Sequence, residues 1–166
     1  MWAAILFPFL LQGICMAFDE GYFHIRRGLP KWERIGHPLD TITVLICFLW
    51  ILLVPFSALS LKIYIVLAAF STIFVTKDEF VHKEHCPASE AWLHAVLFTL
   101  HPITLALAGL IWYRIGAETI PNWLQFLLTP PFPLSLFLWG ECILMGLFCI
   151  YQILFWNFIW KEKKAN

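Results

Sequence analysis

The chain has 166 residues, of which 61% are hydrophobic, 17% aromatic and only 13% charged, with eleven basic residues balancing eleven acidic ones. A soluble domain carries roughly 45–50% apolar and about 25% charged residues. The composition therefore excludes a soluble enzyme core, a disordered chain and a nucleic-acid binder with a basic face. It leaves an integral membrane protein, and the length limits it to four or five crossings joined by short loops.

A helix needs about 20 largely apolar residues to cross a bilayer, and five segments approach this. The first is 2–18, interrupted only by Gln12 and Gly13; it lacks the basic start of a signal peptide. The second is 41–58 with Pro55 near its end, and the third, 61–76, is the shortest. The fourth, 92–113, carries His94 and His101, and the fifth, 134–160, carries Glu141, Gln152 and Asn157. Helices are expected throughout, because an open strand edge in lipid leaves backbone groups unpaired. The fold expected is an all-α integral membrane protein, one domain over 1–166, with four crossings bundled as two hairpins and a peripheral fifth helix.

Between the fourth and fifth crossings, 115–133 is apolar but too short to span, and Pro121, Pro130, Pro131 and Pro133 bracket it. It reads equally as a short amphipathic piece lying in the interface or as a plain connector. With five crossings, nine Lys and Arg share the face of 19–40, 77–91 and 161–166, against Lys62 and Arg114 on the other. The positive-inside rule then places that face and the C-terminus in the cytoplasm and the N-terminus outside. Cys15, Cys47, Cys142 and Cys149 read as small hydrophobes within crossings. Cys86 stands alone on the charged face, and no CxxC pair is present.

All six histidines, at 24, 37, 82, 85, 94 and 101, lie on or near that one face, and eight of the eleven acids lie within 19–40 and 77–91. Glu20/His24, Glu33/His37 and Glu90/His94 are four apart, and Glu79, His82 and His85 step by three. Such spacings put side chains on one helix face with Cβ atoms about 5–6 Å apart, close enough to converge on one ion or on two ions about 3.5–4 Å apart. The pattern repeats. Asp19-Glu20-x3-His24 followed by Pro30-x2-Glu33-x3-His37 matches Asp78-Glu79-x2-His82 followed by Pro87-x2-Glu90-x3-His94. His37-Pro38-Leu39 is echoed by His101-Pro102-Ile103. The two copies cover about 2–58 and 61–113, each a helical hairpin, with Pro30 and Pro87 in first-turn positions and Gly28 as a helix stop.

One Glu and at least one His from each of four helices make a ligand set for two metal ions. In its logic the set resembles the ferritin-like di-iron carboxylate proteins, whose bundle helices present Glu and Glu-x-x-His inward. Glu79-x-x-His82 matches that motif literally, and the other three pairs use Glu-x3-His. In face and depth the site is also similar to that of membrane histidine-box desaturases and hydroxylases, although the HxxxH and HxxHH boxes are absent.

The expected metal ligands are Glu20, His24, Glu33, His37, Glu79, His82, His85, Glu90 and His94. His101 is expected as a deep ligand or a donor behind the ligands, and Asp19, Asp40 and Asp78 as groups orienting imidazoles. Ordinary alternatives stand beside these. Glu33 is placed to pair with Lys31 or Arg34 and Glu84 with Lys83, Arg26 and Arg27 to meet lipid phosphates or an acidic substrate, and Trp139, Trp156 and Trp160 to anchor at the interface. Glu141 and Gln152 outline a polar seam on the fifth helix.

The expected activity is that of a di-metal membrane enzyme, iron preferred and zinc or manganese open, oxidising a lipid or other apolar substrate with the help of an electron donor. A zinc-dependent membrane hydrolase and a non-catalytic metal-binding or metal-transport protein are the alternatives. Nucleic acid is not an expected partner.

Overall fold

The computed structural model describes residues 2–78 and 86–160, with Asp78 described in its backbone only. Among the described residues there are helices and no strands. Five helices are long and apolar enough to cross a membrane. Helix α1 (Trp2–Arg27) is continuous but widens into a π turn over Asp19–His24. Gly28, at φ 74°, ends it in the left-handed conformation that glycine alone adopts cheaply. Helix α2 (Lys31–Leu53) and helix α4 (Ala88–Gly116) start alike. Each follows an extended proline, Pro30 or Pro87, at the cap position rather than inside the first turn, and each carries a glutamate, Glu33 or Glu90, as its third residue. A carboxylate there faces the unpaired amides of the helix start.

Helix α2 ends at Leu53 because Pro55 disfavours helical backbone before it. Ala58 therefore opens helix α3 (Ala58–Phe74) instead of closing the second crossing, and Ser57 with Ser60 forms a reciprocal capping box at that start. A 3-10 turn, Val75–Asp78, extends α3. Helix α5 (Asn122–Leu127) gives the interfacial loop its amphipathic form: Leu124 is fully buried while Trp123 and Phe126 face outward. Helix α6 (Leu134–Leu154) runs into a second π turn, Phe155–Ile159.

Helix α1 packs chiefly on α4, α2 on both α3 and α6, and α4 also on α3, α2 and α6. The fifth crossing is thus part of the bundle and is not peripheral. The main core, with Phe9, Phe48, Ile51, Tyr64, Leu105, Ile111 and Leu138, fills the half of the bundle away from the charged face. Outside, residues such as Leu10, Val66, Ile73, Leu136 and Ile150 are exposed. Inside, Glu33, Glu90, His94, His101 and Gln152 are buried. Apolar outside and polar inside is the arrangement that lipid favours and water does not.

Hydrogen bonds between side chains join the crossings at mid-depth. Thr104 of α4 donates to Gln12 of α1 (2.6 Å), Ser71 of α3 meets His101 of α4 (3.0 Å) and Thr43 of α2 (2.7 Å), and Thr41 of α2 donates to Gln152 of α6 (2.9 Å). The last contact realises the polar seam expected on the fifth helix.

Candidate metal centre

The charged end of the bundle gathers the end of α1, the starts of α2 and α4 and the end of α6. In a regular α-helix a residue five positions on lies about 140° around the axis. The π turn reduces that offset through its i to i+5 pattern. Asp19 and Glu20 therefore both reach His24: Nδ1 of His24 is 2.9 Å from Oε2 of Glu20, and Nε2 is 3.2 Å from Oδ2 of Asp19. The same Asp19 oxygen is 3.2 Å from Nε2 of His94. Oε1 of Glu90 is 3.7 Å from Nε2 of His24.

Glu20 fixes the His24 tautomer. With Nδ1–H donated to Glu20, neutral His24 turns the lone pair of Nε2 toward Asp19 and Glu90. Nε2 of His24 and Oδ1 of Asp19 are buried with no hydrogen-bond partner, although the two residues are only 3% and 7% exposed. A lone pair facing carboxylate oxygens at this range requires a proton, on the imidazole or on a carboxyl, or a metal ion between them. Asp19, His24, Glu90 and His94 each bring one ligand atom within 4.8 Å of the others. A tetrahedral site with bonds of about 2.0–2.1 Å has edges of about 3.3 Å. The separations of 3.2, 3.2 and 3.7 Å match those edges.

A second group, His24, Glu33 and His37, meets the same 4.8 Å criterion. The His24 and His37 rings lie 4.8 Å apart, centre to centre. Between the two groups sits Arg27. Its guanidinium donates to Glu33 Oε2 (2.6 Å) and to both oxygens of Glu90 (2.8 Å to Oε1, 3.2 Å to Oε2). Glu33 and Glu90 are fully buried. Arg27, which the sequence assigned to lipid phosphate, thus turns inward and pairs with Glu33. Arg26 stacks over Tyr22 at 3.7 Å instead. Asp19, Glu20, Glu33 and Glu90 supply four buried carboxylates and Arg27 one compensating charge. The excess is to be balanced by imidazolium or bound metal, because buried carboxylates left alone cost several kcal/mol each.

Of the expected ligands, the structure brings together Glu20, His24, Glu33, His37, Glu90 and His94. Asp19, expected to orient a ligand, falls in the four-residue group that could hold a metal ion, and Glu20, expected as a ligand, contacts Nδ1 of His24. Asp40 lies 2.5 Å from Nζ of Lys77. His101 belongs to neither group and bonds Ser71. Glu79, His82 and His85 lie outside the described residues, as do Lys83 and Glu84, and the side chain of Asp78 is not described. Trp156, read as an interfacial anchor, is buried and donates its indole N–H to Oε1 of Glu20 at 2.6 Å. Cys86 lies beside the site, and burial pushes its thiol up to about 12, against the opposing pull of Arg27.

Below the cluster opens a partly open cavity of about 140 Å³. Its walls are mostly apolar, with Met16, Val44, Leu97, Phe98, Met145 and Phe148 among them, and Asp19, Glu20, His24, His37 and His94 stand at its charged end. A metal ion held there would sit where a polarised or redox-active centre meets an apolar chamber. No known protein family, curated protein or solved structure matches the chain.

Proposed function

We propose that the chain is a membrane-embedded, metal-dependent enzyme acting on a lipid or other apolar substrate at the charged end of its bundle. The observation carrying this reading is the buried Nε2 of His24, without a hydrogen bond and at metal-ligand separations from Asp19, Glu90 and His94. Glu20, held by Trp156, supplies the partner that metal-bound imidazoles have on their other nitrogen.

A second ion would take Glu33 and His37 as its ligands, because the two nitrogens of His24 face Glu20 and the first group. Carboxylate and imidazole donors suit iron. With iron the chemistry would be oxidation of a C–H bond by O2, one oxygen atom entering the product and the other leaving as water. A reductase or small electron carrier would supply two electrons, and water two protons. Tetrahedral separations in the four-ligand group favour a second reading, zinc activating water for hydrolysis of a lipid ester or amide.

The excess of Lys and Arg on this face supports a cytoplasmic site with the N-terminus outside. The matching starts of α2 and α4, proline then a buried third-position Glu, support descent of the two hairpins from one duplicated unit.

Elemental analysis of the protein purified in mild detergent tests the reading. About two irons per chain, lost in His24→Ala and His94→Ala, is the expected result. Zinc with the same dependence selects the hydrolase. Protein that refuses iron, manganese and zinc alike overturns the proposal.

A further inference from the structure

The cavity has a regular depth. Its lining runs from Gln12 to His24 on α1, from His37 to Val44 on α2, from His94 to His101 on α4 and from Met145 to Gln152 on α6. On α2, α4 and α6 these limits are seven residues apart, two helical turns, so the chamber descends about 10 Å from the cluster toward the middle of the bundle. A cavity of about 150 Å³ accepts benzene, so the 140 Å³ here has room for about six carbons, drawn out over those two turns.

Below the cluster, polar side chains in the wall are engaged in hydrogen bonds. Oε1 of Gln12 accepts from Thr104, Oε1 of Gln152 accepts from Thr41, and Nε2 of His101 meets Ser71. What the wall offers an occupant is mainly apolar surface, including two methionines, Met16 and Met145, whose flexible side chains adapt to a chain of variable shape.

We propose, building on the reading of the cluster as a metal centre, that this cavity receives the headgroup-proximal stretch of one unbranched lipid chain. The chain would lie as it does in the leaflet, polar end at the cluster and methylenes descending between α1, α2, α4 and α6. The cluster lies at the helix ends and the chamber leads inward, so the atoms presented to Asp19, His24 and His94 are the carboxyl or ester group and the first carbons. The substrate class is thus a fatty acid or acyl lipid, attacked near its head and not at mid-chain.

Photolabelling in phosphatidylcholine nanodiscs tests this with palmitic acid carrying a diazirine about six carbons from the carboxyl, the depth that the cavity volume allows. Adducts are expected on Phe98, Met145 or Phe148, falling about tenfold in Leu97→Trp and Met145→Trp, each of which fills the chamber. Metal content measured on the same samples reports folding of the cluster and must stay at the wild-type level. Adducts confined to outward residues such as Leu10, Leu136 and Ile150, unchanged in both variants, overturn the chain site even if metal is bound. Cavity adducts on a chain that binds no metal leave the lipid site standing and remove the metal-enzyme reading instead.

Discussion

The indole N–H of Trp156 donates to one oxygen of Glu20, and the other oxygen of Glu20 holds Nδ1 of His24. The π turn that follows α6 thereby sets the direction in which an imidazole on α1 points. Trp156→Phe keeps an aromatic ring, smaller than the indole, and removes the donor. We expect metal affinity to fall by about 10–100-fold, the usual effect of losing a group behind a ligand, with the helical content unchanged. Metal titration of the purified variant, beside circular dichroism, measures both.

Arg27 is the guanidinium shared by two fully buried carboxylates. Arg27→Met leaves Glu33 and Glu90 without it and should destabilise the fold by about 3–5 kcal/mol. Arg27→Lys should recover part of that loss, since one ammonium cannot reproduce the forked contact. Unfolding in mixed micelles compares the three proteins; equal stability in all of them contradicts the network.

Gly109 permits a close approach between α4 and α3. A Cβ there would stand 2.8 Å from Cε1 of Tyr64. The Tyr64 ring cannot yield freely, because its hydroxyl donates to the carbonyl of Leu105 at 2.6 Å. Gly109→Ala should cost about 1–3 kcal/mol, the range for overpacking. The double variant Gly109→Ala/Tyr64→Ala should lose the clash term, which a double-mutant cycle of thermal midpoints detects.

Cys86 is predicted to be unreactive at neutral pH. Burial raises its thiol to about 12, and a raised thiol pKa favours the neutral form, so the nucleophilic thiolate is scarce until strongly alkaline pH. In metal-free protein, iodoacetamide labelling of Cys86 followed by peptide mapping should be negligible at pH 8 and should climb only toward pH 11–12. Labelling with the profile of an ordinary thiol, near pH 8.5, contradicts this burial.

Much of the architecture was legible from the chain. Long apolar runs announce the crossings, and Glu-x3-His spacings announce which helix ends face one another. Three features were less accessible. Asp19 shares a site with His24 only because α1 widens into a π turn, and five-residue spacing reads as divergent on a regular helix. Trp156 is 136 residues from Glu20, and a tryptophan near a helix end reads equally well as a lipid anchor. Arg27 was within reach: it lies three residues after His24 and so on its face, but a basic residue at a membrane rim is by default assigned to phosphate. Helix boundaries shifted for one reason as well. Helices α2 and α4 begin with polar turns, Lys31 to Asp40 and Ala88 to Ala91, before their apolar runs start.

The mid-depth hydrogen bonds link the five crossings in a single line, α1 to α4 to α3 to α2 to α6. Each such bond in lipid contributes only about 0.6 kcal/mol, but it also sets rotation and vertical registry, which interchangeable aliphatic contacts leave loose. The line crosses between the first three helices and the rest through three bonds, Gln12–Thr104, Ser71–His101 and Thr41–Gln152. A polypeptide severed within 79–85 therefore retains the instructions for its two fragments to find each other and reassemble in the bilayer.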